Sequence, residues 1–230
     1  MCGVALAVVT GGGSGIGRAT VLELARRGLD VALVGRTEVT LAAAVAEAEK
    51  ADVRALGFCA DVGSDAQVRR AVKDIEMAMG VPEIVVNNAG IAGRKTPLER
   101  TTDADWDAVM NANLKGVFLV TRALLPSMRA AGRGRFVTIG SISATLGTAG
   151  LGPYCASKWG VVGLTKALAE ELRGSGLQAL SVLPGTVSTP MAQVGGFAPQ
   201  MSPEDVARVV AFAALDAPDA MNGSSIECFG

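Results

Sequence analysis

A doubly wound α/β fold, a parallel sheet with helices on both faces, is what this sequence predicts, and three observations predict it. Short runs rich in Val, Ile and Leu alternate with longer segments of helical period, most of those runs are apolar on both faces, and a glycine cluster follows directly on the first. A strand covered by helices on each side has no polar face to show, and parallel neighbours need a long crossover between them.

Strands are expected at Val4–Val9, Asp30–Val34, Val53–Cys59, Glu83–Val86, Arg135–Gly140, Leu177–Leu183 and Ser224–Cys228. Helices are expected between them at Gly15–Arg27, Glu38–Ala51, Ser64–Met79, Asp103–Ala131, Pro153–Gly174 and Pro203–Leu215. Start signals support several: Ser64 has Gln67 three residues on, and Ser202 stands before Pro203 at a first helical position. Pro126 predicts an end or a kink near the last turn of the longest helix. No linker divides the chain, so residues 1–230 read as a single domain, with a flexible loop at Gln193–Met201 where Gly195, Gly196 and Pro199 cluster.

Composition removes whole classes of chemistry. Half of the 230 residues are apolar, and 21 basic against 22 acidic residues leave a net charge of −1, with no electrostatic footprint for nucleic acid or a membrane surface. The absence of histidine excludes Ser-His-Asp and Cys-His nucleophiles and HExxH zinc sites. Cys2, Cys59, Cys155 and Cys228 form no CxxC pair, so no metal site is expected and reduced thiols are. The apolar run Val4–Val9 stops after six residues without a basic region before it, and no stretch has the length of a membrane span. A cytoplasmic protein with small-molecule partners is the expectation.

Thr10-Gly11-Gly12-Gly13-Ser14-Gly15-Ile16-Gly17 links the first strand to the first helix. Glycines let a backbone turn sharply and approach a pyrophosphate, and the free N–H groups of a helix N-terminus favour its charge. The spacing Gly11-x3-Gly15-x-Gly17 differs from the common GxGxxG fingerprint, and steric need alone puts glycine in such turns. Tyr154 and Lys158 fall one helical turn apart, and Tyr154 is the only tyrosine. A lysine ammonium nearby favours phenolate and draws the phenol toward working pH, giving an acid/base group without histidine. A chance i, i+4 pair on an amphipathic helix is the plain alternative.

Taken together, TGGGSGIG at Thr10–Gly17, Asn87-Asn88-Ala89-Gly90, Asn113 in NANLKG, Ser141 in IGSIS and YCASK at Tyr154–Lys158 resemble the short-chain dehydrogenase/reductase family. The likeness is to its 3-oxoacyl carrier-protein reductase-like members. The order matches, as does the step of thirteen residues from Ser141 to Tyr154, and Asp61-Val62 and Pro184-Gly185-Thr186-Val187-Ser188-Thr189 agree too. The resemblance covers essentially the whole chain. It implies a seven-stranded Rossmann-type sheet in order 3-2-1-4-5-6-7 and hydride transfer between a nicotinamide cofactor and a carbonyl or alcohol. Carried over, Tyr154 exchanges the proton of the reacting oxygen, Ser141 hydrogen-bonds that oxygen, Lys158 binds the ribose hydroxyls and tunes Tyr154, and Asn113 holds a water linking Lys158 to solvent. Gly11, Gly13, Ser14, Gly15, Ile16, Gly17, Asp61, Val62, Asn88, Ala89, Gly90, Pro184, Gly185, Val187 and Thr189 border the cofactor. Asn87, the first asparagine, ties strands together.

At the end of the second strand Gly35 stands where an acid often binds the ribose of NAD, and Arg36 follows with a fork suited to phosphate, which favours NADP over NAD. Only Pro190–Met201 separates Thr189 from Ser202, a short lid over a pocket walled by Leu146, Thr148, Leu151, Met191 and Phe197. Arg129, Arg133 and Arg135 read as a solvated basic cluster or a contact for an acidic carrier protein. Apolar faces of the two longest helices, with Val161, Leu164 and Leu168, predict a homodimer or homotetramer. A dinucleotide-binding regulator without turnover is the alternative function. A sugar-nucleotide epimerase would need a further C-terminal substrate region.

Overall fold

The computed structural model describes residues 4–192 and 198–230. Seven parallel strands lie in the order β3-β2-β1-β4-β5-β6-β7, the order the resemblance implies. They are β1 (Leu6–Thr10), β2 (Asp30–Gly35), β3 (Ala55–Cys59), β4 (Ile84–Asn87), β5 (Gly134–Ile139), β6 (Leu177–Pro184) and β7 (Ser225–Cys228). Helices α1 (Gly15–Arg26), α2 (Glu38–Ala48), α3 (Asp65–Met79), α4 (Asp103–Met110), α5 (Gly116–Ala131), α6 (Gly152–Glu171) and α7 (Pro203–Ala211) connect them.

Successive β1 side chains point to opposite faces, and both faces are apolar. Ala7 and Val9 join Val31 and Leu33 beneath Val21 and Leu24 of α1, Leu41 of α2 and Val206 and Val210 of α7. Leu6 and Val8 join Val85 and Phe136 beneath Val68 and Ile75 of α3, Leu124 and Met128 of α5 and Leu172. Burial of the fully enclosed Leu, Ile and Phe side chains contributes about 1.5–3 kcal/mol each.

The sheet reverses its winding between β1 and β4, and the carboxyl ends of those strands form the crevice where such folds bind ligands. The crevice is tied together by Asn88: its amide Nδ2 donates to Thr10 O at 2.9 Å, and Thr10 Oγ1 accepts the backbone N–H groups of Asn88 at 2.9 Å and Ala89 at 3.0 Å. Asn87, expected to make that tie, instead donates from Nδ2 to Thr121 Oγ1 of α5 at 3.0 Å. Asn87 ends β4 with its side chain on the sheet face covered by α5, whereas Asn88, just past the strand, turns to the end of β1.

Two local expectations are refined and one fails. The helix expected over 103–131 runs without a break but carries a π turn at Asn111–Lys115 between α4 and α5. Of the end or kink expected at Pro126, the end does not occur: α5 runs on to a left-handed Gly132 cap, with Pro126 on its exposed side, where a helix can bend without losing core contacts. Ser64 makes no side-chain cap, since Gln67 Oε1 accepts from Asp61 N at 2.9 Å instead. Ser202 does cap α7, in a reciprocal box with Asp205.

Candidate active site

The turn from β1 into α1 is shaped by two glycines. Gly11 has φ of +67°, a left-handed conformation. Gly17 packs so tightly that a Cβ there would lie 2.2 Å from Gly11 O and 2.4 Å from Asn88 Nδ2. The Ser14 side chain makes no cap and the first turn of α1 carries no acid, so the helix N-terminus presents donor N–H groups with nothing of the protein's own to neutralise them. Gly13 and the exposed Ser14 complete the loop, and Gly15, with Ile16 behind it, brings α1 against Thr189. A turn of this shape fits a pyrophosphate. Beyond it, at the end of β2, Arg36 is exposed and among the described residues holds no ion pair.

Ser141 follows β5, buried, with Oγ accepting the N–H of Ser143 at 3.1 Å. Tyr154 lies in the first turn of α6 and shares a hydrogen bond with Ser141. Lys158, one turn on, is 6% exposed, places Nζ 5.6 Å from the centroid of the Tyr154 ring, and donates to Ile139 O at 2.8 Å. Burial draws the Lys158 pKa down from 10.5 to about 8, since an ammonium out of water is costly. The same burial pushes the Tyr154 phenol above its ordinary value, and the Ser141 bond only partly opposes it. This corrects the expectation that Lys158 draws the phenol down: desolvation outweighs the Ser141 hydrogen bond, and the phenol is held protonated.

Asn113 lies in the π turn, 1% exposed. Its Oδ1 accepts Ile91 N at 2.8 Å, and its Nδ2 donates to Ile91 O at 2.9 Å and to Ser157 Oγ at 3.0 Å. With both amide donors and the oxygen engaged, the side chain clamps the segment after β4 to α6. Gly90 lies against both groups: a Cβ there would stand 2.9 Å from Asn113 Oδ1 and 3.9 Å from Lys158 Nζ.

These elements enclose a cavity of about 630 Å³ lined by Ile16, Asn88, Gly90, Ser141, Tyr154, Lys158, Pro184, Gly185, Val187 and Thr189 among the expected residues. Leu146, Thr148, Leu151 and Met191 form its walls as expected. Phe197 lies outside the described residues. Asp61 and Val62 stand away from the cavity: the Asp61 carboxylate accepts Gly63 N at 2.9 Å, and Val62 packs against Gly116 of α5. Ser143, Gln200 and Phe229 also line the cavity and were not foreseen. Ser143 has a signal in hindsight, since it repeats the Ser141 residue type two positions later; Phe229, at the end of β7, has none.

A model of the short chain dehydrogenase family matches residues 5–196. A dog protein named (3R)-3-hydroxyacyl-CoA dehydrogenase is 38% identical over 98% of this chain and 95% of its own. A 3-oxoacyl-(acyl-carrier-protein) reductase of Thermotoga maritima is 35% identical over 95% of this chain and 94% of its own. Among solved structures, levodione reductase superposes with a TM-score of 0.92 at 33% identity, covering 97% of this chain and 95% of that one.

Proposed function

The chain belongs to the short chain dehydrogenase family, an oxidoreductase that moves hydride between a nicotinamide cofactor and a ketone or secondary alcohol, and from that premise we propose that Ser141, Tyr154 and Lys158 carry the chemistry and that the substrate is a 3-oxoacyl thioester or similar ketone, reduced with NADPH. The observation that carries the reading is the convergence of buried Ser141 and Lys158 and half-buried Tyr154 on one cavity that opens beside the glycine turn.

A bound reduced nicotinamide supplies the hydride that adds to the carbonyl carbon. Tyr154 gives its phenolic proton to the carbonyl oxygen as charge builds there, and the bond it shares with Ser141 sets the direction of that proton. Ser141 hydrogen-bonds the same oxygen, anchored by the Ser143 N–H. Burial keeps the phenol protonated, the form that reduction requires. Lys158 stands between Ile139 O and the cavity and would hold the ribose hydroxyls, while Gly11, Gly13, Ser14, Gly15 and Gly17 would receive the pyrophosphate and Arg36 the phosphate that distinguishes NADP from NAD. Asp61, Val62, Ala89 and Asn113 support the site from outside the cavity.

The reading extends to one domain over the chain, to a cytoplasmic location and to a homodimer or homotetramer. Cys59, Cys155 and Cys228 are unpaired thiols, and no helix among the described residues is long and apolar enough to cross a membrane. Val161 is fully buried within the subunit and adds nothing to the apolar surface expected there; the surplus lies in Trp106, Phe118 and Trp159, exposed on α4, α5 and α6 at 41%, 42% and 55%. Light scattering at micromolar concentration is expected to give a multiple of the 23.3 kDa chain mass. No observation supports a regulator without turnover, whose cavity would need no proton donor. A panel of ketones and 3-oxoacyl thioesters, followed by NADPH and NADH absorbance, tests the function: oxidation of NADPH by at least one carbonyl is expected, and none by any would overturn it.

A further inference from the structure

Tyr154 sits in the first turn of α6, and that turn has few holds of its own. Leu151 stands at the cap position without a side-chain bond, Gly152 opens the helix, and the first turn carries no acid. The opening N–H groups of a helix have no partner within it, so an uncapped first turn is its loosest part. A reacting group displaced by about 1 Å can lose a hundredfold in rate, so what holds this turn bears directly on turnover. Ser157 is fully buried, its Oγ donates to Tyr154 O at 2.7 Å, and the same oxygen accepts Asn113 Nδ2 at 3.0 Å. Asn113 is in turn tied to both backbone groups of Ile91, a residue of the cavity wall. The bonds run from the segment after β4, through the π turn, to the first turn of α6.

We infer that Ser157 is a positioning residue for the proton transfer: through the Tyr154 carbonyl, and braced by Asn113, it fixes where the phenol stands without touching substrate or cofactor. The inference rests on Tyr154 being the proton donor, as proposed above. Ser157 is not among the described residues that line the cavity, so its removal acts on the chemical step and leaves binding alone. Lys158 is held separately, by Ile139 O. The competing role is local, since a serine or threonine inside a helix often bonds a carbonyl one turn back only to satisfy its own hydroxyl. Thr165 of the same helix supplies the comparison. Its Oγ1 donates to Val161 O at 2.7 Å, it is 2% exposed, and that bond stays within α6.

The test measures NADPH-dependent reduction of the best ketone of the panel above in the wild type, Ser157→Ala and Thr165→Val, beside thermal unfolding of each. Both substitutions remove a buried hydroxyl bond from α6, and both are expected to lower the melting temperature. Ser157→Ala alone is expected to lower kcat, about tenfold, with KM for ketone and for NADPH within about twofold of the wild type. A kcat in Ser157→Ala within about twofold of the wild type, or an equal fall in Thr165→Val, overturns the inference and leaves the function standing. Should Ser157→Ala not fold, Ser157→Thr and Ser157→Val make the comparison at one shape with and without the hydroxyl. The threonine variant is then expected to keep a kcat about tenfold above that of the valine variant, and equal values overturn the inference. No NADPH-dependent reduction of any ketone by the wild type overturns the proposed function and the inference with it.

Discussion

The two ends of the crevice are built from opposite materials. At the end beyond β5 and β6, Asn113, Ser141 and Lys158 are at most 8% exposed, and each has a hydrogen-bond partner within the protein. At the end beyond β1 and β2, Ser14 and Arg36 are exposed, and the shape comes from glycine backbone rather than from side-chain contacts. The buried end is coupled to the fold, so a change there alters protonation, packing and turnover together. The exposed end is coupled mainly to the ligand. On the proposed reading, chemistry is thereby held fixed while cofactor preference stays open to single substitutions.

The sharpest way to break this contrast is Tyr154→Phe. The ring keeps its packing and only the proton donor goes, so turnover is expected to fall by about a hundredfold or more while cofactor affinity, measured by fluorescence titration, stays near that of the wild type. Wild-type turnover in this variant would show that the buried end does not carry the proton.

The next effect is on stability. Lys158 has its pKa lowered to about 8 in the folded protein, against 10.5 when unfolded. Between pH 8 and 10 the unfolded chain therefore holds a proton that the folded protein has released, and stability rises with pH, by about 2 kcal/mol across that window. At pH 7 both states are protonated and the full cost of burying the ammonium is present. Above pH 10 Tyr154 acts the other way, because its folded pKa is raised and the unfolded chain loses that proton first. Urea unfolding at pH 7, 8, 9 and 10 measures the rise, and Lys158→Met is expected to abolish it. A wild type whose stability is flat through this window would mean that Lys158 is well solvated.

The strands were legible in the sequence because burial on both faces leaves continuous apolar runs such as Leu6–Val9 and Ile84–Val86. The Tyr154–Lys158 pair was legible because helical period alone puts them on one face. The π turn at Asn111–Lys115 was not, since one extra residue in a turn leaves the apolar period of the flanking helices almost intact. Nor was the choice between Asn87 and Asn88, which depends on where β4 ends and which residue faces α5, or the direction of the Tyr154 shift, which depends on how far the phenol is desolvated. Ser157 was opaque for the same reason: only the fold sets its hydroxyl between Asn113 and the Tyr154 carbonyl.

The smallest effect sharpens the contrast from its exposed side. Arg36 stands at the end of β2, beside Gly35, with a guanidinium that among the described residues holds no ion pair, so its removal leaves no buried charge without a partner. Its carbonyl, which accepts from Cys59 Sγ at 3.4 Å, belongs to the backbone and survives substitution. Charge-assisted bonds from a guanidinium to a phosphate contribute about 1.5–3 kcal/mol, reduced at an exposed rim by solvent and salt. Arg36→Ala is therefore expected to weaken NADPH binding roughly tenfold, at about 1.4 kcal/mol per decade, with NADH affinity and thermal stability nearly unchanged. Adding Gly35→Asp sets a carboxylate against the phosphate and offers the ribose hydroxyls of NADH an acceptor, so the preference should reverse. Dissociation constants for both cofactors at two salt concentrations measure this, and the NADPH advantage of the wild type should shrink as salt rises. Equal wild-type affinity for NADH and NADPH would mean that Arg36 reads no phosphate, and that the exposed end grips the two cofactors through backbone alone.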